Sequence, residues 1–304
     1  MNIHMERFMV SLFDDQAAGL RRLFSAAHGP TSVAFAGPAG VQGALVRNVL
    51  VADLARGLAA AGKEVLILDE HAGTDSMAAA FGLRSRYDLL QALNRDVPAN
   101  KVLLQVETAI RLLPAARAAR QFARLDDMER RALGEWLRRL QKGVDFALVN
   151  AADRVEADFS PLLPQPQRIV IAVSADAPSI TAAYALMKRL ALRRGCRDYG
   201  IVVMRADSLS GGEALFVNLA EVARRHLGAK LELLAVMTPS GTPSDIGHPL
   251  VDAFLNPSCD SPEGGFKDTG KGMRCRPHGK FLEGAPQEYF LERSKPRLRG
   301  ASAG

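Results

Sequence analysis

The chain has 304 residues, of which 48% are hydrophobic and 24% charged, enough for one large α/β domain with a substantial core and too apolar for a disordered chain. Its formal net charge of +6 and sequence pI of about 9.4 permit contact with anionic partners without demanding it. Three cysteines, Cys196, Cys259 and Cys275, make no disulfide framework and point to a reducing compartment. No apolar run reaches the roughly 18 residues of a membrane span, and no secretory leader is evident. The expected location is cytoplasmic, at most peripheral to the inner membrane.

In chain order, Phe13–Ala27 comes first as a helix. Asp14 or Asp15 can cap it, its apolar residues Ala17, Leu20, Leu23 and Phe24 recur at helical spacing, and His28-Gly29-Pro30 ends it. A strand at Ser32–Ala36 then breaks into Gly37-Pro38-Ala39-Gly40-Val41-Gln42-Gly43. A helix from Ala44 to Ala60 follows, and Glu64–Leu68 is a second apolar strand ending at Asp69. A helix between two apolar strands is a βαβ unit with a parallel sheet. Nucleotide phosphates sit at such a first βα turn, on backbone N–H groups at the helix N-terminus. The loop chemistry does not match. A phosphate-binding loop needs Lys and a Ser/Thr hydroxyl where Gly43 and Ala44 stand, or Ala44 and Leu45 if the loop is one residue longer. A phosphate loop stripped of its charges and an ordinary βα turn both remain open. Arg47, one turn into the helix, is expected to point to solvent rather than to a phosphate.

Thr74–Phe81 and Arg86–Leu93 are expected as short helices, and Lys101–Val106 with Ala109–Leu113 as a hairpin. Ala115–Gln141 is expected as one long helix carrying Arg117, Arg120, Arg124, Arg130, Arg131, Arg138 and Arg139. Asp126, Asp127, Glu129 and Glu135 are interleaved with them, which favours a solvated face over a nonspecific DNA-binding one. Strands at Asp145–Asn150, Arg168–Val173, Gly200–Met204 and Leu231–Val236 alternate with helices at Ser179–Arg194 and Gly212–His226. That alternation predicts an α/β fold, a doubly wound parallel sheet. Ligands in such sheets bind at the C-terminal ends of the strands, where Asn150 stands at the end of Asp145–Asn150. After Val251 there is no further Ile or Val, and the stretch from Pro239 is rich in Gly, Pro and charge. It reads as a low-order tail. Cys259, Cys275 and His278 within it are too loosely spaced to make a zinc site. The expected organisation is residues 1–30 as helix and linker, 31–238 as the α/β domain, and 239–304 as the tail.

Several of these stretches together resemble the MinD/ParA-type P-loop ATPases. Phe35–Asn48 looks like a decayed copy of the family's deviant Walker A loop. Val65–Asp69 with Glu70-His71-Ala72-Gly73 is similar to its second acidic motif. Ala172–Leu190 resembles the corresponding segment of one branch, the FlhG/FleN regulators of flagellar number and placement. Asp15-Gln16-Ala17-Ala18-Gly19-Leu20-Arg21 matches that branch's DQAxxLR motif in full, which ordinary MinD and ParA proteins lack. The resemblance covers roughly residues 12–237.

The departures fall on the family's charged chemistry. Its cross-dimer Lys falls on Pro38, its phosphate-binding Lys on Gly43 and its Mg²⁺-binding Thr on Ala44. The second carboxylate of its Asp-x-Asp motif falls on His71, and its Walker B Asp on Asn150; Asp69 alone of the acidic set survives. The glycine scaffold of the loop, Gly37 and Gly40, is retained. The resemblance therefore implies the MinD/ParA fold with a degenerate nucleotide site. No cofactor is expected, although the family uses ATP and Mg²⁺, and neither hydrolysis nor an ATP-dependent homodimer is expected. The implied partner is the FlhF-type signal-recognition GTPase, contacted through Asp15, Gln16, Ala17, Leu20 and Arg21. An active ATPase switching on membrane or nucleoid, and a nonspecific DNA binder, are the competing readings. Only Pro249–Leu255 corresponds in position to the family's C-terminal membrane helix, and it is too short for stable membrane binding.

Overall fold

A computed structural model describes residues 29–37, 41–152, 159–163, 166–238 and 250–255. The N-terminal helix with its DQAxxLR motif lies outside the described residues, as do Pro38 and Gly40 of the loop and Cys259, Cys275 and His278 of the tail.

β1 (Thr31–Ala36) leads into α1 (Val41–Ala60), which begins three residues earlier than the sequence suggested, and then β2 (Val65–Asp69). A 3₁₀ turn at Gly73–Asp75 and the single-turn α2 (Met77–Ala80) replace the helix expected over 74–81. α3 (Leu89–Leu93) starts at a capping box built on Asp88 and Gln91. β3 (Leu104–Glu107) and β4 (Ile110–Pro114) form the expected antiparallel pair. The helix expected over 115–141 is broken in two. α4 (Ala116–Gln121) runs into a 3₁₀ turn at Phe122–Arg124, Leu125 is extended, and α5 (Asp127–Leu140) starts afresh. The break has a local cause: the Asp126 side chain accepts from the Glu129 N–H and Glu129 answers at the Asp126 N–H, a capping box inside the run. β5 (Phe146–Asn150), β6 (Arg168–Ser174), α6 (Ala177–Arg194), β7 (Asp198–Met204), α7 (Leu209–Leu227) and β8 (Lys230–Val236) complete the domain.

The eight strands lie in the order β3-β4-β2-β5-β1-β6-β7-β8. Every pair is parallel except β3 with β4. The antiparallel edge strand β3 alternates between half-buried and exposed residues, whereas β2 and β5 are buried throughout. Alternate residues of β1 serve opposite faces. Val33 and Phe35 pack with Leu50, Val51, Leu54 and Leu58 of α1, and Ala34 and Ala36 belong to the core beneath α5, α6 and α7. Gly212 of α7 packs so close to β8 that a Cβ there would run into the Val236 side chain. Among the described residues no helix is long and apolar enough to cross a membrane.

Residues 250–255 fall within the stretch expected as tail. They are helical, and Leu250, Val251 and Phe254 are buried in the α1 face of the core beside Val202, Leu234 and Met237. Phe254 also lies under the Arg168 guanidinium at 5.3 Å. The compositional change after Pro239 hid this short amphipathic turn, whose apolar residues recur at i, i+1 and i+4. Phe254→Ala should therefore lower unfolding stability by about 3 kcal/mol in urea titration. The exposed neighbour Asp252→Ala should change it by less than about 0.5 kcal/mol; equal effects would place this turn outside the core.

Candidate functional site

Parallel register brings the ends of the central strands to one level. Asn150, last in β5, pairs with Phe35 of β1 on one side and Asp69, last in β2, on the other. The α1 N-terminus faces the same edge. The sheet thus collects Asp69, His71 and Asn150 with the start of α1.

Asp69 is 1% exposed. Its Oδ2 accepts from the Met77 N–H at 2.6 Å, at the start of α2, and its Oδ1 accepts from the His71 N–H at 3.2 Å. The Asn150 Nδ2 donates to the same Oδ1 at 2.8 Å and to the Asn48 Oδ1 at 3.2 Å. On its other side, the Asn150 Oδ1 accepts from the Arg47 Nε at 2.5 Å. The amide therefore reads an anion with one end and a cation with the other, which an aspartate could not do. Asn48 extends the network, its Nδ2 donating to the carbonyls of Asp75 at 3.1 Å and Ser76 at 3.4 Å. The His71 ring meets the Asn150 carbonyl at 3.2 Å through Nδ1.

Arg47 corrects the sequence reading. It does not point to solvent: it is 4% exposed, its guanidinium is turned into the sheet edge, and its charge acts on Asp69. Sequence reasoning sent Arg47 outward, overlooked Asn48 and gave Glu70 no role of its own. The signal was present in α1, where two adjacent polar residues interrupt the apolar pattern of Val46, Leu50 and Val51. Glu70, also 1% exposed, accepts from the Ala152 N–H at 2.9 Å, the Leu162 N–H at 3.2 Å and the Ser160 hydroxyl at 3.2 Å. It ties down the chain that follows β5.

The loop positions offer little chemistry. Gly43 is buried without a side chain, Ala44 presents a methyl group, and Gly37 packs beside Ala172 and the Arg47 Cβ. Among the described residues, no three His, Cys, Asp or Glu side chains cluster as a metal site.

Burial pushes the Asp69 carboxyl up to about 6, against the opposing pull of hydrogen bonds from Asn150, Met77 and His71 and of the Arg47 charge. The native value lies above the ordinary 3.8, so the folded protein holds this proton more tightly than the unfolded chain. The corresponding stability is fully present below pH 4 and is lost as the pH rises through 6, reaching about 3 kcal/mol by pH 7. In urea titrations from pH 4 to 7, the wild type should lose stability relative to the non-titrating Asp69→Asn. Asn150→Asp should destabilise further, and increasingly as the pH rises, because it sets a second carboxylate against Asp69. A wild type that gains on Asp69→Asn as the pH rises would overturn this assignment.

No family model matches the chain. Its sequence is similar to the antiactivator FleN of Pseudomonas aeruginosa, 25% identical over 198 residues, which span 65% of this chain and 71% of that protein. Its fold is similar to the cell division ATPase MinD of Pyrococcus furiosus, with a TM-score of 0.53 at 15% identity over 75% of this chain and all of that one. It is also similar to a plasmid partition protein of Borrelia burgdorferi, with a TM-score of 0.53 at 13% identity over 75% of this chain and all of that one. The chain thus has the MinD/ParA-type P-loop NTPase fold, and its sequence is similar to that of one FleN protein.

Proposed function

We propose that this chain is a FlhG/FleN-like regulator of flagellar number or placement that acts by binding other proteins rather than by turning over ATP. The likeness to the antiactivator FleN supports the regulatory class. The observation that carries the second half is the Arg47 guanidinium on Asn150, beside Asp69.

The donor set does not fit Mg²⁺-ATP. A magnesium ion wants carboxylate and hydroxyl oxygens, and a triphosphate wants a lysine. Here the candidate positions carry the Gly43 backbone, the Ala44 methyl and the neutral Asn150 amide. The surviving carboxylate, Asp69, has its oxygens engaged by Met77, His71 and Asn150. Phosphoryl transfer is catalysed by positioning and charge stabilisation, and losing one preorganised partner costs on the order of 3 kcal/mol. The α1 helix dipole returns only about 0.3–1 kcal/mol per charge. Several partners are missing at once, and the dipole cannot replace them.

The remaining activity is assigned to the N-terminal motif. In the helix expected from the sequence, Gln16 and Leu20 would be four residues apart on one face, with Ala17 and Arg21 as the adjacent pair and Asp15 opening the motif. Leu20 supplies an apolar anchor, Arg21 a charge-assisted contact, and Gln16 a polar group able to order water at the GTP of an FlhF-type GTPase. The small Ala17 lets the partner approach closely. The protein works in the cytoplasm, at most peripherally to the inner membrane.

Purified protein should show no magnesium-dependent ATP turnover above a heat-killed control, and light scattering should give the same mass with and without ATP. Turnover of about 0.01 s⁻¹ or faster, or an ATP-dependent doubling of mass, would instead support an active switching ATPase. A peptide of residues 1–27 should stimulate GTP hydrolysis by FlhF of the same organism. Gln16→Ala should reduce that stimulation more than it reduces binding, since ordering water is a transition-state role. A GTPase rate unmoved by peptide and full-length protein alike would refute the partner assignment.

A further inference from the structure

We infer that Arg47 is a built-in counter-cation that holds the strand-end site in one state, so that the surrounding segments are set without a ligand. This deepens the reading above and rests on it. Four separate pieces of chain meet at Asp69 and Asn150. α1 contributes Arg47 and Asn48, β5 contributes Asn150, the chain after β2 contributes the His71 N–H, and α2 contributes the Met77 N–H. Asn48 draws in the carbonyls of Asp75 and Ser76 between them. A buried carboxylate at this junction needs compensating positive charge, and here the compensation is covalently part of the chain. A freely exchanging metal or phosphate ligand would make the geometry conditional on its concentration. An arginine four residues past Gly43 makes it unconditional. Asn150 is the adaptor, because its amide accepts from the guanidinium through Oδ1 and donates to the carboxylate through Nδ2. Arg47 is thus a positioning residue: it acts on the His71–Met77 segment through Asn150 and Asp69.

The test is a double-mutant cycle read by amide hydrogen exchange and by the Asp69 titration in carboxyl ¹³C NMR. In the wild type, ATP with magnesium should leave exchange over residues 69–80 and 144–152 unchanged. Arg47→Met should move the Asp69 midpoint upward and speed exchange at the His71 and Met77 amides at least tenfold. Combining Arg47→Met with Asp69→Asn should recover most of that protection, because it removes both charges together. Arg47→Lys keeps the charge, so its Asp69 midpoint should stay close to that of the wild type; it carries the test if Arg47→Met fails to fold. An unmoved midpoint in Arg47→Met, a midpoint in Arg47→Lys displaced as far as in Arg47→Met, or a double variant no better protected than Arg47→Met would overturn the inference. The two readings fail differently. ATP-dependent exchange in the wild type would refute the nucleotide-independent function, whereas absent coupling in a wild type blind to ATP would refute the role of Arg47 alone.

Discussion

A carboxylate buried at the end of a central strand is the constraint to which the rest of this site answers. Asp69 cannot be hydrated, so its charge must be met by donors fixed in the fold. Backbone N–H groups from His71 and Met77 and the Asn150 amide supply three hydrogen bonds, and Arg47 supplies the charge. Even so, burial outweighs them and lifts the carboxyl to about 6. The arrangement keeps a residual cost at neutral pH even though the site is densely connected.

The adjacent acid divides the labour. Asp69 gathers elements from the α1 face, while Glu70 fastens the backbone of Ala152 and Leu162 and the Ser160 hydroxyl beyond β5. Ser160 holds a left-handed backbone (φ 44°), a conformation a non-glycine residue keeps only when its surroundings determine it. Arg194, from the end of α6, secures the same stretch by donating to the Phe159 carbonyl and lying over its ring at 5.7 Å. Two neighbouring carboxylates on one strand end therefore hold the first βα unit and the chain after β5 to a common frame.

How much of this the sequence disclosed depended on whether a signal was local. Buried parallel strands are continuous apolar runs, and every strand of the α/β alternation was legible to within a few residues. Asn150 was legible as a polar residue at a strand's C-terminal end, where ligands bind in such sheets, and Asp69 as the end of the second strand; their direct pairing was not. The break between α4 and α5 was also local: Asp126 and Glu129 spell a capping box that the run of arginines disguised. Arg47 was not legible in the same way. Its spacing allows a solvent-facing or a core-facing side chain, and the choice is made by Asn150, 103 residues away in sequence. Residues 250–255 were hidden for a different reason, since their apolar partners Val202, Leu234 and Met237 lie on or beside distant strands.

The side chains at positions 43, 44 and 150 fit their surroundings physically. A lysine at position 43 would bring a second cation toward the edge where the Arg47 guanidinium is already buried. An aspartate at 150 would set two carboxylates against each other where Asn150 now donates at 2.8 Å. Each change toward a phosphate-binding site is thus opposed by a group already present, and the opposition comes from desolvated charge, the costliest kind to leave unmatched. These residues form a closed electrostatic arrangement in which one arginine, one amide and one carboxylate satisfy each other. Its product is a fixed geometry at the strand ends, and a fixed geometry suits a scaffold that presents binding elements better than it suits a switch.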